Sequence, residues 1–498
     1  MSNKGFSQSI EVVRRNGSNP RLKALSILSV PSVLAVGAAS TMLAYGQIAV
    51  QNQGYVPFSD APINYRTSEL HDPVALLQRQ LDSGKASLKY EPQHGYLRSV
   101  LQLLKVPIDS QTLVFSKTSF QYKKISPDHP RALYFNDDVY VGSVHDGKAI
   151  EIVSFDPLQG AVFYLLDEHK VAQPVFQRAE LDCTQCHIAA GTRGVPGVLL
   201  RSIYPTETGT QATSTPSYIT DQESPFKERW GGWYVTGKLG NLTSMANAAV
   251  PDSSDPTSPA IPQYVPVATT KLVALNHPFD PSTYLIPGSD VVAQLVLAHQ
   301  TQMHNLITLT NYKTRIALYT AAIRNKNAGK LADTSLPDDL RLQFERPAEQ
   351  LLRYLLFVNE APLPGSTSSP IVGSSTFALT FAARGIRDAE GRSLRDFDLH
   401  TRIFKYPCSY LIYTDSFDQI PEPAKSYIYH RLFEILAEKD QSPDFAKISH
   451  ADKRAIFEIL LATKPGLPTE WKDYARSNHL RIAAAPTPPI HPDANQPG

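Results

Sequence analysis

Three cysteines in 498 residues cannot build a disulfide framework, so the fold must rest on buried apolar surface. Neither sign of charge is in excess. The 48 Lys and Arg against 47 Asp and Glu give a formal +1, which leaves no broad basic surface and argues against nucleic acid as a partner. With 42% hydrophobic and 19% charged residues, the chain is neither disordered nor a multi-span membrane protein. Methionine is scarce as well: beyond Met1 and Met42 there are only Met245 and Met303. No internal repeat is present. What is present is length, enough for two domains with ordinary cores.

The first informative region is another absence. Residues 24–59 contain no Asp, Glu, Lys or Arg, and residues 24–50 are mostly Ala, Leu, Ile, Val, Ser and Gly. Lys4, Arg14, Arg15, Arg21 and Lys23 precede this run, opposed only by Glu11. That asymmetry predicts a cytoplasmic basic segment over residues 1–23 and export of the chain beyond the apolar run. An apolar helix of about 20 residues spans the hydrocarbon layer, so residues 24–50 read as a transmembrane anchor. Small residues at Ala44-Tyr45-Gly46 keep a cleaved signal open as the alternative. Either way, the remainder is placed on the periplasmic side of a bacterial inner membrane.

The exported part is expected to be α+β. Two short helices fit residues 72–105, broken at Glu91-Pro92. Short runs rich in β-branched and aromatic residues come next, separated by Asn136-Asp137-Asp138, Asp146-Gly147 and Asp156-Pro157. These predict an antiparallel meander over 132–166 in a β-rich domain, residues 60–250. Five prolines over 251–266 mark a linker or loop. A mainly helical domain over 267–482 should contain one long helix or two from Asp290, capped by Ser289 or Asp290, with further helices at 347–358, 424–438 and 450–463. The proline-rich residues 483–498 read as a mobile tail.

Two of the cysteines carry the chemistry. Cys183-Thr184-Gln185-Cys186-His187 is C-x-x-C-H, the attachment pattern of haem c. A helical turn sets two thiols at the separation of the two haem vinyl groups, and the next residue offers an imidazole to the iron. A thioredoxin-like dithiol expects a βαβ frame, which the glycine-rich segment after His187 does not supply. A zinc site would need a second close pair of ligands, and a disulfide across three residues would constrain little chain. One covalently bound haem c is therefore the cofactor expected.

The sixth iron ligand decides between a carrier and an open site. Val292, Leu295, Val296, His299, Met303, Leu306 and Ile307 recur at helical spacing, which places His299 and Met303 one turn apart on an apolar face. His299 is the first candidate, Met303 the second and Met245 the third. A histidine on such a face is more often a satisfied core residue than a ligand. Arg193 and Arg201 come after the motif and are candidates to hold the propionates, with Trp230 covering the ring. Trp230 and Trp233 fit equally well as core residues of a hairpin. Gly191, Gly194 and Gly197 permit close backbone approach to the macrocycle or simple turns. Cys408 has apolar and aromatic neighbours and reads as an inert buried thiol.

Several segments together resemble one family. They are Phe135-Asn136-Asp137-Asp138 through Val141-Gly142, CTQCH with GTRGVPG, SPFKERWGGWYVTG, the His299–Asn305 run, YPCSYLIY around Cys408, Phe417–Pro421 and Thr463–Pro468. They look like large exported bacterial cytochrome c-like proteins with a single C-x-x-C-H. The resemblance covers most of residues 60–475. It implies haem binding and electron transfer, with no assigned reaction, and adds weight to His299 and His304. The leading expectation is thus a membrane-anchored monohaem c-type protein exchanging electrons with a redox partner protein. A peroxidase-type haem enzyme is the alternative, and a haem-based gas or redox sensor stands third.

Overall fold

The β-branched and aromatic runs form six strands: β1 (Thr112–Val114), β2 (Arg131–Phe135), β3 (Val139–Ser143), β4 (Ala149–Asp156), β5 (Gly160–Asp167) and β6 (Phe176–Arg178). They lie side by side in the order β6-β5-β4-β3-β2-β1, and the short strand Trp233–Tyr234 completes a seven-stranded sheet beside β1. Every neighbouring pair is antiparallel. The structure, a computed structural model, describes residues 56–251, 272–275, 279–329, 336–363, 370–478 and 480. The basic segment, the anchor or signal run, nearly all of the expected linker and the tail lie outside the described residues. Among the described residues no helix is long and apolar enough to cross a membrane.

The turns form where the sequence places them. Asn136 accepts hydrogen bonds on Oδ1 from the amides of Asp138 and Val139 at 3.0 and 2.8 Å, reversing the chain between β2 and β3. Asp156 does the same for Leu158 and Gln159, both at 2.9 Å. Alternation then gives the sheet two buried faces. Tyr134, Val141, Ile152, Tyr164 and Leu166 point to one face, against Val74, Leu77, Leu97, Val100 and Leu101 of the helices Pro73–Asp82 and Leu97–Leu103. Buried Asp72 caps the first of these helices, accepting from the amides of Val74 and Ala75, and takes the Tyr164 hydroxyl at 2.7 Å on its other oxygen. A cap of this kind stabilises by about 1 kcal/mol.

The other sheet face carries Phe135, Tyr140, Phe155, Ala161 and Phe163, and packs toward the second half of the chain. That half is helical, as expected. Its axis is one helix, Val291–Asn327, capped by Asp290 through the amides of Val292 and Ala293. At 1.5 Å per residue it is about 55 Å long. Asp338–Leu355, Glu422–Leu436, His450–Thr463 and Thr469–Ser477 pack around it and one another. The first of these starts ahead of the expected residue 347, because Pro347 is tolerated inside it. One apolar cluster runs from Val114 and Phe135 in the sheet to Leu460 and Trp471 near the C-terminus, so the β-rich and helical parts share a core.

The axial helix differs from its expected amphipathic form in one respect. Every residue from Val291 to Tyr312 is buried, polar ones included. A period of 3.6 identifies a core face only when the opposite face is wet. Here both sides are covered, so the apolar stripe does not say which side meets the site.

Candidate functional site

Cys183, Cys186 and His187 lie on the short helix Glu180–His187, which β6 delivers over the edge of the sheet. All three line one cavity of about 340 Å³, within the range of about 300–1,000 Å³ typical of cofactor sites. Its floor is the sheet, through Leu133, Phe135, Tyr140, Val153 and Phe163, and its other walls include Val198, Leu200, Leu297 and Thr301. Cys183 is half-buried and Cys186 exposed, so both thiols lie at a wall rather than in the core.

His187 is held in one orientation. Its Nδ1 lies 2.8 Å from the Gly197 carbonyl, and because a carbonyl only accepts, Nδ1 carries the proton. The lone pair is then on Nε2, as a metal-binding imidazole requires. The Phe163 ring packs at 5.0 Å and 50° to it. Burial lowers the His187 pKa, the Gly197 bond opposes this, Arg131 lowers it further and Glu151 raises it, so the ring is kept neutral and able to ligate.

Gly197 is itself fixed from behind. Its amide bonds back to the His187 carbonyl at 3.0 Å, closing a small ring between motif and loop. Asn305 of the axial helix grips the next residue, with Nδ2 on the Val198 carbonyl at 2.8 Å and Oδ1 on the Val198 amide at 3.1 Å. A Cβ at position 197 would overlap Asn305 Oδ1, so this glycine is required by close approach to Asn305. Gly194 instead adopts a positive φ of 74°, a turn role.

The remaining sequence candidates lie outside the cavity lining. Leu297 and Thr301 are one turn apart and face it; His299 and Met303 each come two residues later, about 200° around the helix. His299 donates from Nδ1 to Gln222 Oε1 at 2.5 Å and accepts on Nε2 from the Ser409 hydroxyl at 2.7 Å. Burial, with His304 nearby, pushes its pKa down to about 3, and both ring nitrogens are committed. Met303 is buried in the apolar core, and Met245 accepts a contact from Ser202 Oγ at 3.8 Å. His304 donates from Nε2 to the Asp137 carbonyl at 2.7 Å and stacks on Phe155 at 3.9 Å.

Arg193 sits in the left-handed region at φ 59° and reaches Gln302, not the cavity. The Arg201 side chain is exposed on the strand Leu200–Ile203. Trp230 is buried beside Phe226, and Trp233 donates to the Arg201 carbonyl, both matching the core reading of that segment. Cys408 is fully buried and its thiol pKa is raised by burial, as an inert thiol requires.

Sequence reasoning missed Arg131, Glu151 and Asn305. Arg131 and Glu151 form an ion pair in the cavity wall. Both are charged residues at alternating positions of strands, a pattern indistinguishable from an ordinary solvated face. Asn305 lies in the motif-like run after His299, but its role needs the loop that it grips. Metal-ligating clusters of three or more His, Cys, Asp or Glu are absent among the described residues. Cys183, Cys186 and His187 are three such residues but do not converge on a single ion; haem c asks a different arrangement of them, two thiols for the vinyl groups and one imidazole for the iron. Compared with protein-family models, curated proteins and solved structures, the chain matches none.

Proposed function

We propose that this chain attaches one haem c through Cys183 and Cys186, with His187 offering its imidazole to the iron, and exchanges electrons with a partner protein on the exported side of a bacterial inner membrane. The observation that carries the reading is the convergence of both thiols and a tautomer-fixed His187 on one largely apolar cavity. When bound, the group supplies one-electron chemistry. The chain's part is to orient His187 through Gly197, to clamp that loop through Asn305, and to exclude water with Phe163, Val198 and Leu297. The likeness to exported single-motif cytochrome c-like proteins supports the same assignment, and residues 24–50 would hold the protein at the membrane.

A second reading, a haem enzyme of peroxidase type, draws on a specific observation. Among the residues lining the cavity, His187 is the only histidine and there is no methionine. A strong sixth ligand is what a dedicated low-spin carrier uses. The test is an optical spectrum of the reduced protein before and after carbon monoxide. A low-spin haem c spectrum unmoved by the gas supports the carrier. A shift on adding the gas supports the enzyme reading, and absence of haem from cells competent in haem c maturation sinks both.

A further inference from the structure

The cavity is not uniform. Most of its lining is apolar or aromatic, but one end gathers Lys117, Thr118, Ser119, Arg131 and Glu151. The strand register explains how. Leu133 pairs with Gly142 and Gly142 with Glu151, so Gly142 separates β2 from Glu151 of β4 on this face. A Cβ at Gly142 would lie 2.5 Å from Arg131 Nη2 and 2.7 Å from Nε, so the guanidinium occupies the space that a side chain would fill. It lies across the glycine to pair with Glu151. In an ordinary sheet position the absence of a side chain is a cost; here it lets an arginine lie flat beside a cofactor cavity.

Both oxygens of Glu151 are already engaged. Oε1 accepts from Ser119 Oγ at 2.5 Å and from Gln121 Nε2 at 2.9 Å, and Oε2 takes Arg131. Arg131 is not saturated: its Nε is buried and has no hydrogen-bond partner. A buried donor left unmade costs about 1–3 kcal/mol, and the side chain keeps about 20% of its surface exposed in the cavity lining, so an acceptor in the cavity can still reach the guanidinium. Lys117 has no ion pair among the described residues. Arg131 and Lys117 against Glu151 leave this end with one net positive charge, sufficient for one ionised carboxylate.

We propose that Arg131, with Lys117, forms a carboxylate-holding end of the cavity and receives an ionised propionate of the haem assigned above. The inference rests on that assignment and takes the place of Arg193 and Arg201, which face elsewhere. Arg131 is a positioning residue: a guanidinium presents several N–H donors in a fixed fork, which suits a carboxylate shared with Glu151.

The experiment compares purified, haem-loaded wild type with Arg131→Gln, Arg131→Lys, Gly142→Ala and Glu151→Gln. Midpoint potential and the resonance Raman propionate-bending band are the readouts. Loss of the cation exposes the carboxylate charge and favours ferric iron, so Arg131→Gln should lower the potential and shift the propionate band. Arg131→Lys should restore most of the potential. Gly142→Ala should push the guanidinium away and move both readouts in the same direction by less, and it serves if Arg131→Gln does not fold. Glu151→Gln should raise the potential. Wild-type values for both readouts in Arg131→Gln and Gly142→Ala would overturn the inference, as would a lowered potential with an unmoved propionate band. Wild type without a haem c spectrum would defeat the functional assignment instead, and is distinguishable from either result.

Discussion

Two histidines in this molecule look equally suited to bind a metal on paper, and their surroundings separate them. His187 has one ring nitrogen tied to the Gly197 carbonyl and lines a cavity that both thiols also line. His299 has both nitrogens tied, to Gln222 and Ser409, and is stacked between Tyr354 and Phe357 at 5.6 and 4.5 Å. The first keeps a ring nitrogen available, as the proposed role needs; the second pins a loop, the axial helix and the 409 region together. What makes a histidine functional is a lone pair left unspent, and only the partners of both nitrogens reveal that.

The largest effect that could break this comparison is on covalent attachment. Cys183→Ala with Cys186→Ala should abolish haem staining of the denatured polypeptide, whereas His299→Gln should leave staining of the folded protein intact. Retained covalent haem in the double variant would refute the role given to the thiols.

Next comes the loop that orients His187. Gly197→Ala drives a methyl into Asn305, and overpacking of this kind costs about 1–3 kcal/mol. It should lower the melting temperature and perturb the Soret band, because the carbonyl that fixes the imidazole moves. An unchanged spectrum with lowered stability would mean that the clamp serves packing alone.

His299→Gln sharpens the other side of the comparison. Its loss leaves the buried Ser409 and Gln222 short of partners, at about 1–3 kcal/mol. The pH dependence has a definite sign. Folded His299 stays neutral down to about 3, while the unfolded side chain takes a proton below about 6.5. Its contribution is therefore full above 6.5 and is lost as pH falls toward 3, by up to about 1.4 kcal/mol per pH unit. The stability gap between wild type and His299→Gln, measured by urea unfolding, should narrow from pH 7 to pH 5. Comparison between variants is needed because Asp138, Glu168 and Glu360, pushed up to about 7 by burial, act in the opposite sense. A gap that does not change with pH would contradict the buried neutral state.

The smallest effect belongs to Arg201. Its side chain is exposed, so Arg201→Ala should change stability by no more than about 0.5 kcal/mol and leave the midpoint potential unchanged. A clear fall in potential would return it to the role first expected from its place after the motif.

Much of this architecture was legible before any coordinate. The meander over 132–166, the helices on either side of Glu91-Pro92 and a helix N-cap at Ser289 or Asp290, which the structure places on Asp290, arise from alternation, turn residues and capping, all properties of neighbours in the chain. The motif at Cys183–His187 was legible for the same reason, since a helical turn fixes its spacing. The extent of the helix containing Pro347 was not, because tertiary packing outweighed the local signal.

The far wall of the site was illegible in principle. Leu297 and Thr301 rather than His299 and Met303 face the cavity because the axial helix is buried on all sides, so its apolar stripe carries no direction. Arg131 meets Glu151 only because β2, β3 and β4 align in one register with a glycine between them. The sequence by itself determined most of the elements and the spacing of the Cys183–His187 motif, since those depend on local spacing. Tertiary structure alone decided which nitrogens are free and which charges face the cavity, because each depends on partners brought together by the fold: His299 on Gln222 and Ser409 and the His187 loop on Asn305, about a hundred residues away, and Arg131 on Glu151 two strands away.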